Sequence, residues 1–78
     1  MPEFFRNGPY RFFCYAHDLL HEPPHVHVER DTEEAKFWLD PVSLEYNNGF
    51  PRHELRRVQG IIEDQRARLL KAWNDATP

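Results

Sequence analysis

A chain of 78 residues with a formal net charge of -3 has room for one domain. A domain this short buries only about 60% of the surface its unfolded chain exposes. The single cysteine, Cys14, excludes an internal disulfide, so stability must come from the 40% of residues that are apolar, among them six Phe, three Tyr and two Trp. No apolar run approaches the roughly 18 residues of a membrane span. Pro2 and Glu3 stand where a secretory signal would carry positive charge, so the expected location is the cytoplasm.

Residues 1–50 carry four Lys/Arg against nine Asp/Glu, and residues 51–78 carry six against four. Both parts are too short to be separate domains, so this asymmetry belongs to two surfaces of one body. The first part reads as short strands. Asn7, Gly8 and Pro9 punctuate an aromatic start, and an Asn-Gly pair is a strong hairpin signal. Residues 10–16 then place Tyr10, Phe12, Cys14 and Ala16 on one face and Arg11, Phe13 and Tyr15 on the other, with aromatics on both. Residues 17–24 read as a loop, because Pro23 and Pro24 cannot sit in a central ladder.

Residues 25–30 alternate cleanly, with Val26 and Val28 opposite His25, His27 and Glu29. A turn at Asp31 to Glu33 leads into residues 34–39, where Ala35, Phe37 and Leu39 alternate with Lys36 and Trp38. Residues 42–46 form a further short run before Asn47, Asn48 and Gly49 turn the chain. The expectation is a strand meander over about residues 4–46, followed by one helix over about 51–74 that starts at Pro51. Leu55, Val58, Ile62, Leu69 and Trp73 form its apolar stripe, widened by Ile61, Gln65 and Ala72. Gly60 costs this helix about 1 kcal/mol relative to Ala, which predicts either a close approach of the sheet or a bend there. Leu70 falls on the polar side. Beside an exposed Trp38 it would suit a protein or homodimer contact.

The densest chemical constellation is His17, His21, His25 and His27. In an extended strand, residues two apart share a face at a Cα separation of about 6.6 Å, so two imidazoles can converge on one metal ion. Zinc then needs a third ligand. Glu29 shares the face but stands about 13 Å from His25 at Cα, too far to complete a site around both rings. His17 or His21 is the better third ligand, with Asp18 or Glu22 as carboxylate alternatives. The plainer reading is that histidines on the solvent face of a strand bind nothing. A third is general acid–base catalysis, for which an imidazole suits neutral pH.

Other chemistry has less support. Cys14 lies between aromatics and reads as buried. Glu29, Asp31, Glu33 and Glu34 cluster at a turn and read as a solvated edge. Arg52, Arg56, Arg57, Arg66, Arg68 and Lys71 line the helix, with Arg11 and Arg30 on the sheet, and such a set suits phosphates. Glu63 and Asp64 interrupt it, and a pI near 5.9 is low for a binder of bare nucleic acid.

The segment HEPPHVHV (21–28) resembles the signature of a small bacterial family known as domain of unknown function 4160. RNGPYRFFCY (6–15) is similar to the family's opening strand pair, and Pro23, Pro24, His25, His27 and Val28 match its PPHxHV segment. Glu34, Ala35, Phe37 and Leu39 fit the strand that follows; Gly49, Phe50, Pro51, Leu55 and Val58 fit the approach to the helix, and Leu69 and Trp73 its end. Gln59, Gly60 and Ile61 stand where many relatives carry a tryptophan, and Glu29 to Glu34 replace a glycine-rich hairpin. The resemblance implies a partner: such proteins are often encoded beside another small protein, in pairs suspected of being toxin–antitoxin-like. It assigns no catalytic residue, but it makes His25 and His27 motif positions.

These readings converge on an α+β fold, a small antiparallel sheet of three to five strands against one long C-terminal helix. The leading functional expectation is a binding module without cofactor. It would engage another small protein or a second copy through Trp38, Leu70 and a strand edge. The first alternative is a small RNA nuclease or hydrolase using His25 and His27, with Arg11, Arg30, Arg52 and Arg56 on phosphate. The second is a zinc-binding structural or sensory domain using His25 and His27 with His17 or His21.

Overall fold

The computed structural model describes residues 3–78, so Pro2 lies outside it. Five strands, β1 (Glu3–Asn7), β2 (Tyr10–Phe13), β3 (His25–Arg30), β4 (Glu33–Leu39) and β5 (Val42–Asn48), form one antiparallel sheet in sequential order. Tight connections make that order. Gly8 and Pro9 join β1 to β2, with Gly8 at φ 56 in the first central position, where glycine carries no Cβ penalty. Asp31 takes φ 52 in the two-residue turn between β3 and β4, and Asp40-Pro41 joins β4 to β5. One extra residue, Glu45, forms a bulge in β5 between the pairs Phe37↔Leu44 and Lys36↔Tyr46.

Residues 17–24 are not a plain loop. They contain a short helical turn, α1 (Asp18–His21), before the Pro23-Pro24 corner. The C-terminal helix runs from Arg52 to Ala76 as α2 (Arg52–Asp64) and α3 (Arg66–Ala76), joined at Gln65, whose φ −102 and ψ 15 break the regular geometry. The bend therefore falls at Gln65 and not at Gly60. Gly60 is exposed, and a Cβ there would meet nothing within 4 Å, so no close approach of the sheet explains it. Among the described residues, no helix is long and apolar enough to cross a membrane.

One face of the sheet makes the apolar core. Tyr10, Phe12, Val26, Val28, Ala35, Phe37 and Leu39 pack with Phe50, Val58, Ile62 and Leu69, as the strand and helix periodicities require. The opposite face is the departure from expectation: it is also largely buried. His25 has no exposed surface, and Phe13, His27 and Lys36 are covered as well. Two expected contact residues are covered too. Trp38 is half-buried beneath the Lys36 ammonium, 4.6 Å from its ring, and Leu70 packs against the core. Among the described residues, the large apolar side chains that are well exposed are Tyr15, Leu20, Leu44 and Tyr46.

Polar ties fix the helix over the sheet. Arg30 on β3 pairs with the buried Glu54 of α2, and Arg66 donates to the Leu39 carbonyl oxygen and to Asp40. Urea denaturation should separate the two kinds of position. Phe37→Ala is expected to lose about 3–5 kcal/mol by leaving a cavity. Gly60→Ala is expected to gain about 0.5–1 kcal/mol, because the helix improves and nothing clashes.

Candidate metal centre

Strand β3 supplies two imidazoles on one face, and α1 supplies the group between them. Asp18 opens α1. Its backbone N–H donates to the Tyr15 carbonyl oxygen at 3.0 Å, while the Tyr15 N–H donates to Asp18 Oδ2 at 3.2 Å. This local turn aims the carboxylate inward. Oδ2 then lies 3.0 Å from His25 Nε2 and 3.1 Å from His27 Nε2.

The far sides of both rings are held by acceptors. His25 Nδ1 donates to the Pro23 carbonyl oxygen at 3.0 Å. The Pro-Pro corner thus has a second use beyond stiffness: neither proline has an N–H, yet Pro23 O accepts from His25, and Pro24 O accepts from the Leu39 amide at 3.0 Å. His27 Nδ1 donates to Glu34 Oε2 at 2.9 Å, and Tyr46 Oη donates to the same oxygen at 2.9 Å. Each Nδ1 thus faces one oxygen partner outside the cluster, and both Nε2 atoms are turned to Asp18 Oδ2.

Aromatic side chains enclose the group. Trp38 meets the His25 ring edge-on at 5.6 Å between centres and Trp73 of α3 tilts against it at 4.9 Å. Phe13 stacks on His27 at 5.4 Å, and Tyr15 contacts it at 4.9 Å. Burial alone would raise the Asp18 carboxyl, but hydrogen bonds from His25, the Tyr15 amide and His27 outweigh it and hold the group below its ordinary value. Asp18 is therefore a carboxylate at neutral pH. Burial first, and then the hydrogen bond to Glu34, push the Tyr46 phenol well above its ordinary value, so it remains a donor.

Asp18, His25 and His27 form a set whose ligand atoms all lie within 4.8 Å of one another. Zinc ligands about 2.0–2.1 Å from the ion stand roughly 3.3 Å apart around a tetrahedron, close to the spacing between Asp18 and each ring. Two imidazoles and one carboxylate are a donor set for zinc or a neighbouring first-row divalent cation.

Of the expected ligands, His25 and His27 converge, and the third member is the carboxylate alternative Asp18 rather than His17 or His21, which are exposed and tilt against each other instead. Glu22 pairs with the buried Lys36 and stands 3.8 Å from His25 Nδ1. Arg11 pairs with Glu29 at 3.0 Å and Arg30 with Glu54, so both phosphate candidates on the sheet are engaged. Arg52 and Arg56 remain exposed on α2. Glu34 and Tyr46 were absent from the expected set, although the two-residue turn at Asp31 and Thr32 already brings Glu34 to the face and neighbourhood of His27.

Cys14 is wholly buried, and its thiol is pushed up to about 11, by burial first and then by the Asp18 charge. It is no nucleophile at neutral pH. Reaction with a disulfide reagent at about pH 8 is expected to run at least about 100-fold slower in the folded chain than in urea.

No curated protein and no solved structure matches the chain. A family model described as a domain of unknown function, DUF4160, matches residues 10–74, a span that takes in all three members of the cluster together with Pro23, Glu34, Tyr46 and Trp73. Since the match covers most of its length, the chain belongs to the DUF4160 family.

Proposed function

We propose that this protein is a small metal-binding domain, in which Asp18, His25 and His27 hold zinc or a similar divalent cation in a structural or sensory role. One observation carries the reading. Both Nδ1–H groups are committed to Pro23 O and Glu34, so two Nε2 atoms and a carboxylate oxygen are left facing one another at 3.0 and 3.1 Å. A divalent cation at their centre would be ligated by all three atoms in a site largely closed to solvent.

Burial supports the enclosed-centre reading. Asp18 is 8% exposed, His27 5% and His25 0%, as suits an enclosed centre. A nuclease would need both rings at one phosphate, and His25 presents no surface to it. Partner binding has its own support as a second reading. The edge strand β5 is exposed from Ser43 onward and shows Leu44 and Tyr46, a form that accepts an added strand.

Calorimetric titration of the metal-stripped chain with Zn2+ is expected to show one tight equivalent, with protons released on binding. Affinity should fall as the solution is made more acidic, because protons compete with the cation for its ligands. His25→Asn and Asp18→Asn should abolish the tight equivalent. An unaltered tight equivalent in both variants, or none in the parent chain, would overturn the reading. Glu34→Gln keeps the three ligands but replaces the carboxylate that orients His27, and should weaken zinc about 10–100-fold.

A further inference from the structure

The four clustered histidines do not act as one group. His25 and His27 turn into the buried centre, while His17 and His21 remain on the surface with no role in it. We propose that His17 and His21 form a second, exposed cation site on the α1 turn, taking an exchangeable divalent first-row cation such as Zn2+, Ni2+ or Cu2+.

The backbone makes the pair. His17 has helical φ −58 and ψ −37 although it precedes the first hydrogen-bonded residue of α1, and the Leu20 N–H donates to its carbonyl oxygen at 3.2 Å. His17 and His21 therefore stand four residues apart on one continuous helical turn, the spacing at which two side chains lie one above the other. Their ring centres are 4.3 Å apart with a 35° tilt. Among the described residues, neither ring has a hydrogen-bond or ion-pair partner. Four ring nitrogens are thus free at one exposed place. Two imidazoles at this spacing on one helical face are a known bidentate arrangement for zinc.

The surroundings separate this site from the buried one. Asp18 lies on the same turn, but its carboxylate is committed to the Tyr15 amide, His25 and His27. Glu22, the next carboxylate along, pairs with Lys36. The exposed pair therefore offers two ligands with solvent completing the shell, against three at the buried centre. It should bind more weakly and exchange faster. Its preference should follow the general order for nitrogen ligands, with Cu2+ above Ni2+ and Zn2+.

Two-dimensional NMR of the histidine rings, with Zn2+ added to the metal-stripped chain, reads the two sites separately. His17 and His21 are expected to shift together at a Zn2+ concentration at least about tenfold above the one that shifts His25 and His27. The His17→Asn/His21→Asn double variant should lose the weak phase and keep the tight one. Both positions are exposed, so its melting temperature without metal should match the parent.

Three results would overturn the proposal: no shift of His17 and His21, a weak phase that persists in the double variant, or all four rings shifting in a single phase. Failure of the buried centre would look different. His25 and His27 would then stay silent while the weak phase at His17 and His21 appeared as described.

Discussion

A single carboxylate oxygen, Asp18 Oδ2, stands between two imidazole nitrogens in the interior, and much of the local architecture serves that arrangement. The alternation of β3 puts both rings on one face. The α1 turn delivers the carboxylate, and the Pro23-Pro24 corner brings the chain round so that the Pro23 carbonyl anchors the second nitrogen of His25. Glu34 does the same for His27 from the neighbouring strand. Each tie is made of ordinary hydrogen bonds, and together they leave the rings little freedom to turn.

The sheet thus carries two interiors of different chemistry. Its helix-facing side is a close-packed apolar core built from Val26, Val28, Phe37, Val58 and Ile62. The other side is a polar interior roofed by aromatic rings and the α1 segment, with Lys36 and Glu22 paired at its margin. Trp73 links the two, since it belongs to α3 and also lies against the ring of His25. A small domain with no disulfide therefore buries Asp18, His25, His27, Lys36 and Glu54, groups that are costly to bury without partners.

The strand meander, the helical stripe and the family were legible from the chain alone. Period-two alternation at Val26/Val28 and Ala35/Phe37/Leu39, and the recurrence of Leu55, Val58, Ile62 and Leu69, are direct signals of burial. The histidine face was harder to read. Alternation with Val26 and Val28 suggests that His25 and His27 face water, whereas the α1 segment folds back over them and Phe13, Tyr15, Trp38 and Trp73 pack against their rings. Periodicity does not announce that return, because its contacts join different elements: Asp18 of α1 to β3, and Glu22 to Lys36 of β4. For the same reason Asp18 stood only as an alternative ligand, while the more familiar histidines 17 and 21 drew the expectation. Gly60 misled in another way, since an exposed glycine without a packing neighbour leaves its helix cost unrewarded.

The bulge in β5 sets the surroundings of His27 by count and not by identity. Up to Leu44 the partners on β4 and β5 follow one register, in which Tyr46 would face Ala35 on the core side. Glu45 adds one residue, and Tyr46 meets Lys36 instead, on the face that carries the histidines. Glu45 is itself exposed, and none of the site's hydrogen bonds involves it. Many side chains would serve at that position, yet a strand one residue shorter would turn the tyrosine away and leave Glu34 with one donor where it now has two. Insertions and deletions in this edge strand are therefore a more direct route to altering the centre than most substitutions near it.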